Sequence, residues 1–327
     1  MKVRKRIKTD LDFRTAIKRL IGVAVAVFVI VLIAVVQYIY PFRNFLPAYA
    51  LPERGEGEMR FHFLDVGQGD CTIVEFSDGT VVVVDSGVSA WATENRLTRY
   101  LKALKPCALS LVVTHADSDH YGNMAALLES FTVDTLYLPT HAANTKEYAH
   151  LLSLAAKKGV PMSVLTRRMT LISSSDAYGV CLSPVGAEGE KDNEASAVIY
   201  FEYAGVGAVL SGDIGVMREE EIEKEYVFSE EFFDSGSYSV RLERTQIFKM
   251  AHHGAGDSSS QRWVSMLSPS VSVVSCGKGN DYGHPDSEAL SRLKAVGSEI
   301  YRTDELGDVM VTVSKDGTLR VQTGYLK

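Results

Sequence analysis

Apolar positions along the chain fall into short runs broken by polar and glycine-rich turns, with one long exception. Residues 20–36 read LIGVAVAVFVIVLIAVV without a charge, and the apolar character continues to residue 40. At roughly 20 residues, this stretch has the length of a bilayer-spanning helix. Residues 41–57 are rich in proline, glycine and charge and read as a linker. From residue 58 the pattern changes to runs of strand and helix length. It predicts strands over 60–66, 72–76 and 81–85, a helix over 90–104, a buried strand over 109–114 and a helix over 123–130. A short strand over 135–138 and a helix over 146–158, ended by Gly159, complete the first half. The second half predicts strands over 198–203, 208–211, 247–251 and 271–275, with helices over 216–226, 259–267 and 287–296. A hairpin of 309–313 and 319–322 turns at Asp316-Gly317. The 216–226 helix is a solvated acidic face, and 228–243 reads as an exposed insertion. Many neighbouring strands look antiparallel, which suggests a layered α/β sandwich rather than a doubly wound sheet.

Charge orients the long apolar run. Residues 1–19 carry eight basic and two acidic side chains, and the positive side of a span stays cytoplasmic. Ala48-Tyr49-Ala50 resembles a signal cleavage site, but the apolar run is longer than a signal core and ends well before it. The expectation is an uncleaved single-pass anchor in the cell membrane. The chain then divides into a basic cytoplasmic N-terminus (1–19), a transmembrane anchor (20–40), a linker (41–57) and an extracytoplasmic domain (58–327). The 327 residues carry a formal charge of −7. Residues 1–50 hold nine basic and two acidic side chains, so the remainder, with 25 basic and 39 acidic, stands at −14. That balance does not favour non-specific nucleic-acid binding. The four cysteines form no CxxC pair, and Cys71 and Cys181 sit in apolar runs as buried thiols.

The chemistry concentrates at strand ends. His115, Asp117, Asp119 and His120 lie within six residues, directly after LSLVVT. Two imidazoles and two carboxylates so close together are the side chains that bind divalent metals. Asp85 ends VVVVDSG, Asp213 follows VLSG, His252-His253-Gly254 follows IFKMA, and Asp65 to Asp70 (DVGQGD) follows RFHFL. Loops at strand ends along one sheet edge build a shared site. His62, His141 and His150 lack a motif; the first reads as a packed histidine and the others as surface residues.

This pattern resembles the metallo-β-lactamase superfamily of hydrolases. Where that superfamily has HxHxDH, this chain has HxDxDH. With DVGQGD, LSGD and KxxHHG followed by serines, it is similar to the hydrolase domain of competence DNA-uptake channel proteins (ComEC-type) over roughly 59–322. One apolar span is visible here, where that family carries a multi-helix channel. The resemblance implies an α/β four-layer αββα sandwich, preceded here by the single transmembrane helix, and a site for two divalent metal ions. It implies that His115 and Asp117 ligate the first ion, Asp119 and His120 the second, and that Asp213 bridges both. His252 or His253 completes the ligand set of the second ion; spacing does not choose, and His252 is the expectation. Asn193 and Ser196 occupy the region where the superfamily's third histidine of the first site usually stands. An oxygen-rich first site shifts preference from Zn towards Mn.

The implied reaction is metal-assisted hydrolysis. Asp119 is expected to orient the attacking water, Lys249 to stabilise phosphoryl charge, and His284 in YGHP to protonate the leaving group or hold phosphate. Asp85 is expected to orient ligands by hydrogen bonds, and Asp70 to line the mouth, with Gly67 and Gly69 allowing close backbone approach. The expected activity is that of a phosphodiesterase or nuclease acting on DNA or another phosphodiester. Two alternatives stand beside it. One is a metallohydrolase acting on a cell-envelope phosphoester, ester, amide or lactone; the other is an inactive binding module that retains metal.

Overall fold

The computed structural model describes residues 15–32, 49–174, 176–183, 193–226, 238 and 240–324. The chain divides into two units, Met1–Pro47 and Ala48–Lys327. In the first, helix α1 (Thr15–Leu32) is long and apolar enough to cross a membrane. Residues 33–40 of the expected span and most of 228–243 lie outside the described residues. Within 228–243, Leu242 is nonetheless buried, in a 3₁₀ turn.

The second unit is built on two sheets. The first holds β1 (Met59–Phe63), β2 (Thr72–Glu75), β3 (Thr80–Val84), β4 (Ala108–Val112), β5 (Thr135–Leu138), β6 (Met162–Val164), β14 (Val309–Val313) and β15 (Leu319–Thr323). Its order is β15-β14-β1-β2-β3-β4-β5-β6. The second holds β7 (Thr170–Ser173), β8 (Ala177–Ser183), β9 (Val198–Tyr203), β10 (Val206–Leu210), β11 (Thr245–Lys249), β12 (Val271–Val274) and β13 (Glu299–Arg302), in the order β13-β12-β11-β10-β9-β8-β7. Pairing is parallel from β3 to β6 and from β10 to β13, and antiparallel elsewhere.

Three cores make this a four-layer αββα sandwich. Alternation along β3 shows why its run of valines is unbroken. Val82 and Val84 point into the core between the sheets, and Val81 and Val83 into the core beneath the helices. A strand covered on both faces has no solvent side to mark with polar residues. Between the sheets, the Phe201 ring meets Phe61 at 5.9 Å and Phe76 at 6.1 Å, both edge-on. Helices α2 (Trp91–Leu104), α4 (Met124–Ser130) and α5 (Lys146–Lys158) cover the first sheet. Thr145 caps α5 by accepting the Tyr148 amide at 3.1 Å, and Gly159 ends it at φ 68°. Helices α6 (Val216–Tyr226), α7 (Gln261–Leu267) and α8 (Ser287–Ala295) cover the second sheet. The short helices α3 (Ser118–Tyr121) and α9 (Thr303–Leu306) complete the unit. Residues 49–57, read above as linker, belong to this unit: the Arg99 guanidinium lies 4.0 Å above the Tyr49 ring. All four cysteines are free; Cys71, Cys181 and Cys276 are buried and Cys107 is exposed.

Candidate metal centre

The site forms where strands of both sheets end side by side. The first sheet contributes the loop after β4, which carries His115, Asp117, Asp119 and His120. The second contributes Asp213 after β10 and His252-His253 after β11. Tight turns aim these side chains. His252 and His253 both adopt left-handed backbone, at φ 49° and 55°, a costly conformation for residues other than glycine. Hydrogen bonds hold it there. The His252 amide donates to Gly212 O at 3.1 Å, and the Ala251 amide to Ser259 Oγ at 3.1 Å. The DVGQGD loop is tied in by the Asp70 amide, which donates to Asp119 O at 3.1 Å. Gly69 makes that approach possible: a Cβ there would lie 2.5 Å from Asp119 O, at φ +139°.

The donor atoms converge. His120 Nε2 is 3.4 Å from Asp213 Oδ2, and His253 Nε2 is 3.2 Å from Asp119 Oδ2 and 3.5 Å from Asp213 Oδ2. His115 Nε2 lies 3.6 Å from Asp117 Oδ2 and 3.9 Å from Asp213 Oδ2. Among the described residues four groups of three have donor atoms within 4.8 Å of one another: His115–His120–Asp213, Asp119–His120–His253, and two that include the Lys249-paired Asp70, Asp70–Asp213–His253 and Asp70–Asp85–His120. Ligands about 2.1 Å from a tetrahedral ion stand about 3.4 Å apart, which these spacings approach. The Nε2 atoms of His115, His120 and His253 and Asp213 Oδ1 are buried without a hydrogen-bond partner. Buried polar atoms without partners are rare and costly. Four aimed at one volume fit a cation.

The rings are also oriented for it. His253 Nδ1 donates to the Ser275 carbonyl at 3.0 Å, and His120 Nδ1 to Asp85 Oδ2 at 2.8 Å. Each ring then presents Nε2 inward, with its outer nitrogen fixed by an acceptor. Asp85 is itself held by the Thr114 amide at 2.9 Å and the Thr114 hydroxyl at 2.7 Å. Ser196 Oγ accepts the Asp213 amide at 3.2 Å, fixing that turn from behind.

Charge explains how the cluster survives burial. Burial favours a neutral His253 ring, but Asp213 and Asp70 outweigh it and raise the ring to about 10. Burial likewise opposes a charged His120, and Asp213 and Asp85 reverse it to well above the ordinary histidine range. The same pairing holds Asp213 well below the carboxylate range despite its burial. A divalent ion entering here competes with those protons.

Several residues stand elsewhere than their sequence expectation. His253 is 3% exposed and faces Asp119, whereas His252 is 29% exposed, 4.0 Å from Asp213 and 3.4 Å from Asn193 Nδ2. Lys249 does not reach the mouth. It is buried and paired with buried Asp70, so its ammonium is spent on that carboxylate. Asp70 consequently lines the interior, its Oδ1 3.3 Å from His253 Nδ1. Burial raises its carboxyl, but Lys249 and then His253 outweigh this and hold it at about 2. His62, by contrast, is packed as expected: it is buried and hydrogen-bonds Tyr100 Oη at 2.9 Å. His284 lies at the rim, its ring 5.7 Å from His252.

An open cleft of about 130 Å³ leads to the cluster. Asp117, Asp119, Asp213 and His253 line it with Gln68, His252, Tyr282 and His284. Gln68 and Tyr282 had no individual signal beyond membership of DVGQGD and YGHP. Neighbours of chemistry-bearing residues within those short motifs were the available clue.

Comparison with known proteins agrees with this architecture. The chain is 26% identical over 305 residues to ComE operon protein 3 of Bacillus subtilis, covering 88% of this chain and 36% of that protein. It is 25% identical over 288 residues to Competence protein ComA of Neisseria gonorrhoeae, covering 83% and 35%. The chain thus spans about a third of the length of these curated relatives. The metallo-β-lactamase fold protein YhfI of Bacillus subtilis superposes with a TM-score of 0.49 at 11% identity, covering 81% of this chain and all of that one. The family model for the metallo-beta-lactamase superfamily matches residues 64–278, a stretch that runs from β2 to β12 and holds every donor described above. The chain belongs to the metallo-beta-lactamase superfamily, hydrolases whose fold binds divalent metals.

Proposed function

We propose that this protein is a membrane-anchored, extracytoplasmic phosphodiesterase or nuclease with a two-metal site. The observation that carries this is the set of partnerless buried donors, His115, His120 and His253 Nε2 with Asp213 Oδ1, at the end of a small cleft. Asp119, His120 and His253 would hold one ion, His115 and Asp117 the other, and Asp213 would be shared. His253 takes this role in preference to His252 because it is buried against Asp119. The first site's carboxylates favour Mn over Zn. Bound ions supply a nucleophilic water at neutral pH and a clamp on phosphoryl oxygens. Asp119 orients the attacking water, His252 contacts the substrate from the rim, and His284 passes a proton to the departing alkoxide. Lys249 acts at a distance by neutralising Asp70, which steadies His253. The relatives named for competence support a DNA substrate. Helix α1 supplies the anchor.

The test uses the full-length chain in detergent, loaded separately with Mn and Zn. Metal content is measured beside hydrolysis of single-stranded DNA, a small phosphodiester and a lactone. Two ions per chain with diester hydrolysis, and loss of at least a hundredfold in His115→Ala, is the expected result. Lactone hydrolysis alone, or activity unchanged in His115→Ala, would refute the assignment.

A further inference from the structure

The cleft is small, about 130 Å³, and open, so a substrate whose phosphate sits in it extends over the rim. One loop dominates that rim, residues 275–286 between β12 and α8. On it Tyr282 is 72% exposed, although it lines the cleft. Single exposed aromatics are common, but this one is not loose. Its ring stacks on His284 at 5.8 Å and 27°, and His284 in turn stands edge-on to His252.

The loop beneath it is built to stay put. Asn280 organises it through four hydrogen bonds. Its Nδ2 donates to Gly277 O at 2.9 Å and His284 O at 2.6 Å, and its Oδ1 accepts the amides of Tyr282 at 3.2 Å and His284 at 3.0 Å. Both ends of the loop are pinned to the site. The Gly277 amide donates to Gln68 Oε1 at 3.0 Å, and the Asp286 amide to Gly254 O at 2.8 Å. Such a network fixes an aromatic ring that contributes little to the core. Exposed Lys278 stands against exposed Asp281 and Asp286, which leaves the loop at −1, so phosphate attraction is not its main device.

We propose that this loop is a nucleobase platform, on which the free face of Tyr282 stacks the base next to the phosphate being hydrolysed. The inference rests on the phosphodiesterase reading and narrows it to single-stranded nucleic acid. In a duplex both faces of a base are already stacked, so only a splayed base meets the ring. Stacking of this kind tolerates any base sequence, because every base offers a π-face.

The test compares kcat/KM for a single-stranded oligonucleotide and an abasic strand of equal length, using the full-length, metal-loaded protein. Wild type should prefer the base-bearing strand about tenfold, the scale of one stacked base. Tyr282→Ala should bring that ratio close to one, and Tyr282→Trp should preserve it. A wild-type ratio near one, or a ratio unmoved by Tyr282→Ala, would overturn the platform while leaving the phosphodiesterase intact. Hydrolysis of neither strand would overturn the phosphodiesterase reading itself.

Discussion

Lys249→Met should destabilise the protein strongly, although Lys249 touches neither solvent nor the cleft. Lys249 is 2% exposed and Asp70 3%, and the two are ion-paired. Replacing the ammonium with an apolar chain of similar length leaves the Asp70 carboxylate buried, facing the His253 ring and, at 4.0 Å, His120 Nδ1. Removing one partner of such a pair costs about 3–5 kcal/mol. The Asp70 carboxyl offers an independent scale. Its descent from 3.8 to about 2 on folding is worth on the order of 2 kcal/mol at neutral pH. Because the folded value lies below the unfolded one, this contribution is complete above about pH 4 and is lost as pH falls towards 2. In Lys249→Met the acid limb should therefore begin closer to neutrality. Urea unfolding of the full-length chain in detergent, followed by near-ultraviolet circular dichroism from pH 3 to 7, reads both effects. An excess of chelator keeps metal affinity out of the result. The double variant Asp70→Asn/Lys249→Met removes both charges and should recover at least half of the loss. A single variant within about 1 kcal/mol of wild type, or a double variant no better than the single, would refute the pairing.

Two further outcomes follow from the geometry. Asp85→Asn weakens the acceptor that orients His120, so metal affinity should fall about 10- to 100-fold in competition with a chromophoric chelator; unchanged affinity would remove Asp85 from the site. Phe201→Ala opens a hole between Phe61 and Phe76 and should cost about 3–5 kcal/mol in unfolding free energy, read as a lowered melting temperature with activity retained in the cold.

Much of the fold was legible because central strands in a four-layer sandwich are apolar on both faces. Val81 to Val84 and Leu109 to Val113 announce themselves for that reason. Three of the four edge strands do not; the fourth, β15, was legible only through its hairpin turn with β14. β6 and β13 were not predicted because each leaves most of its residues partly exposed and carries no continuous apolar run. β8 was not predicted either: Gly179 interrupts it, and the reason lies across the sheet, where a Cβ would meet the Phe201 ring at 2.5 Å. The candidate site was legible as a set of donors, each after a strand, but not as an arrangement. Adjacent His252 and His253 differ only through a turn in which both are left-handed, which spacing cannot express. Lys249 looked like a substrate contact because its partner Asp70 is 179 residues away in sequence.

The donors reach the centre from two different sheets. His115 to His120 follow a strand of one, and Asp213 and His253 follow strands of the other. An ion held by both is therefore a cross-tie at the open end of the sandwich as well as a reagent. At a hundred times its dissociation constant, one such ion adds about 2.7 kcal/mol to the folded state. Starving the protein of metal would then do more than stop turnover. It would leave the Lys249–Asp70 pair, the imidazolium–carboxylate pairs and a few hydrogen bonds to hold that seam, and amide exchange in the loops around 65–70, 113–122 and 251–260 would quicken first.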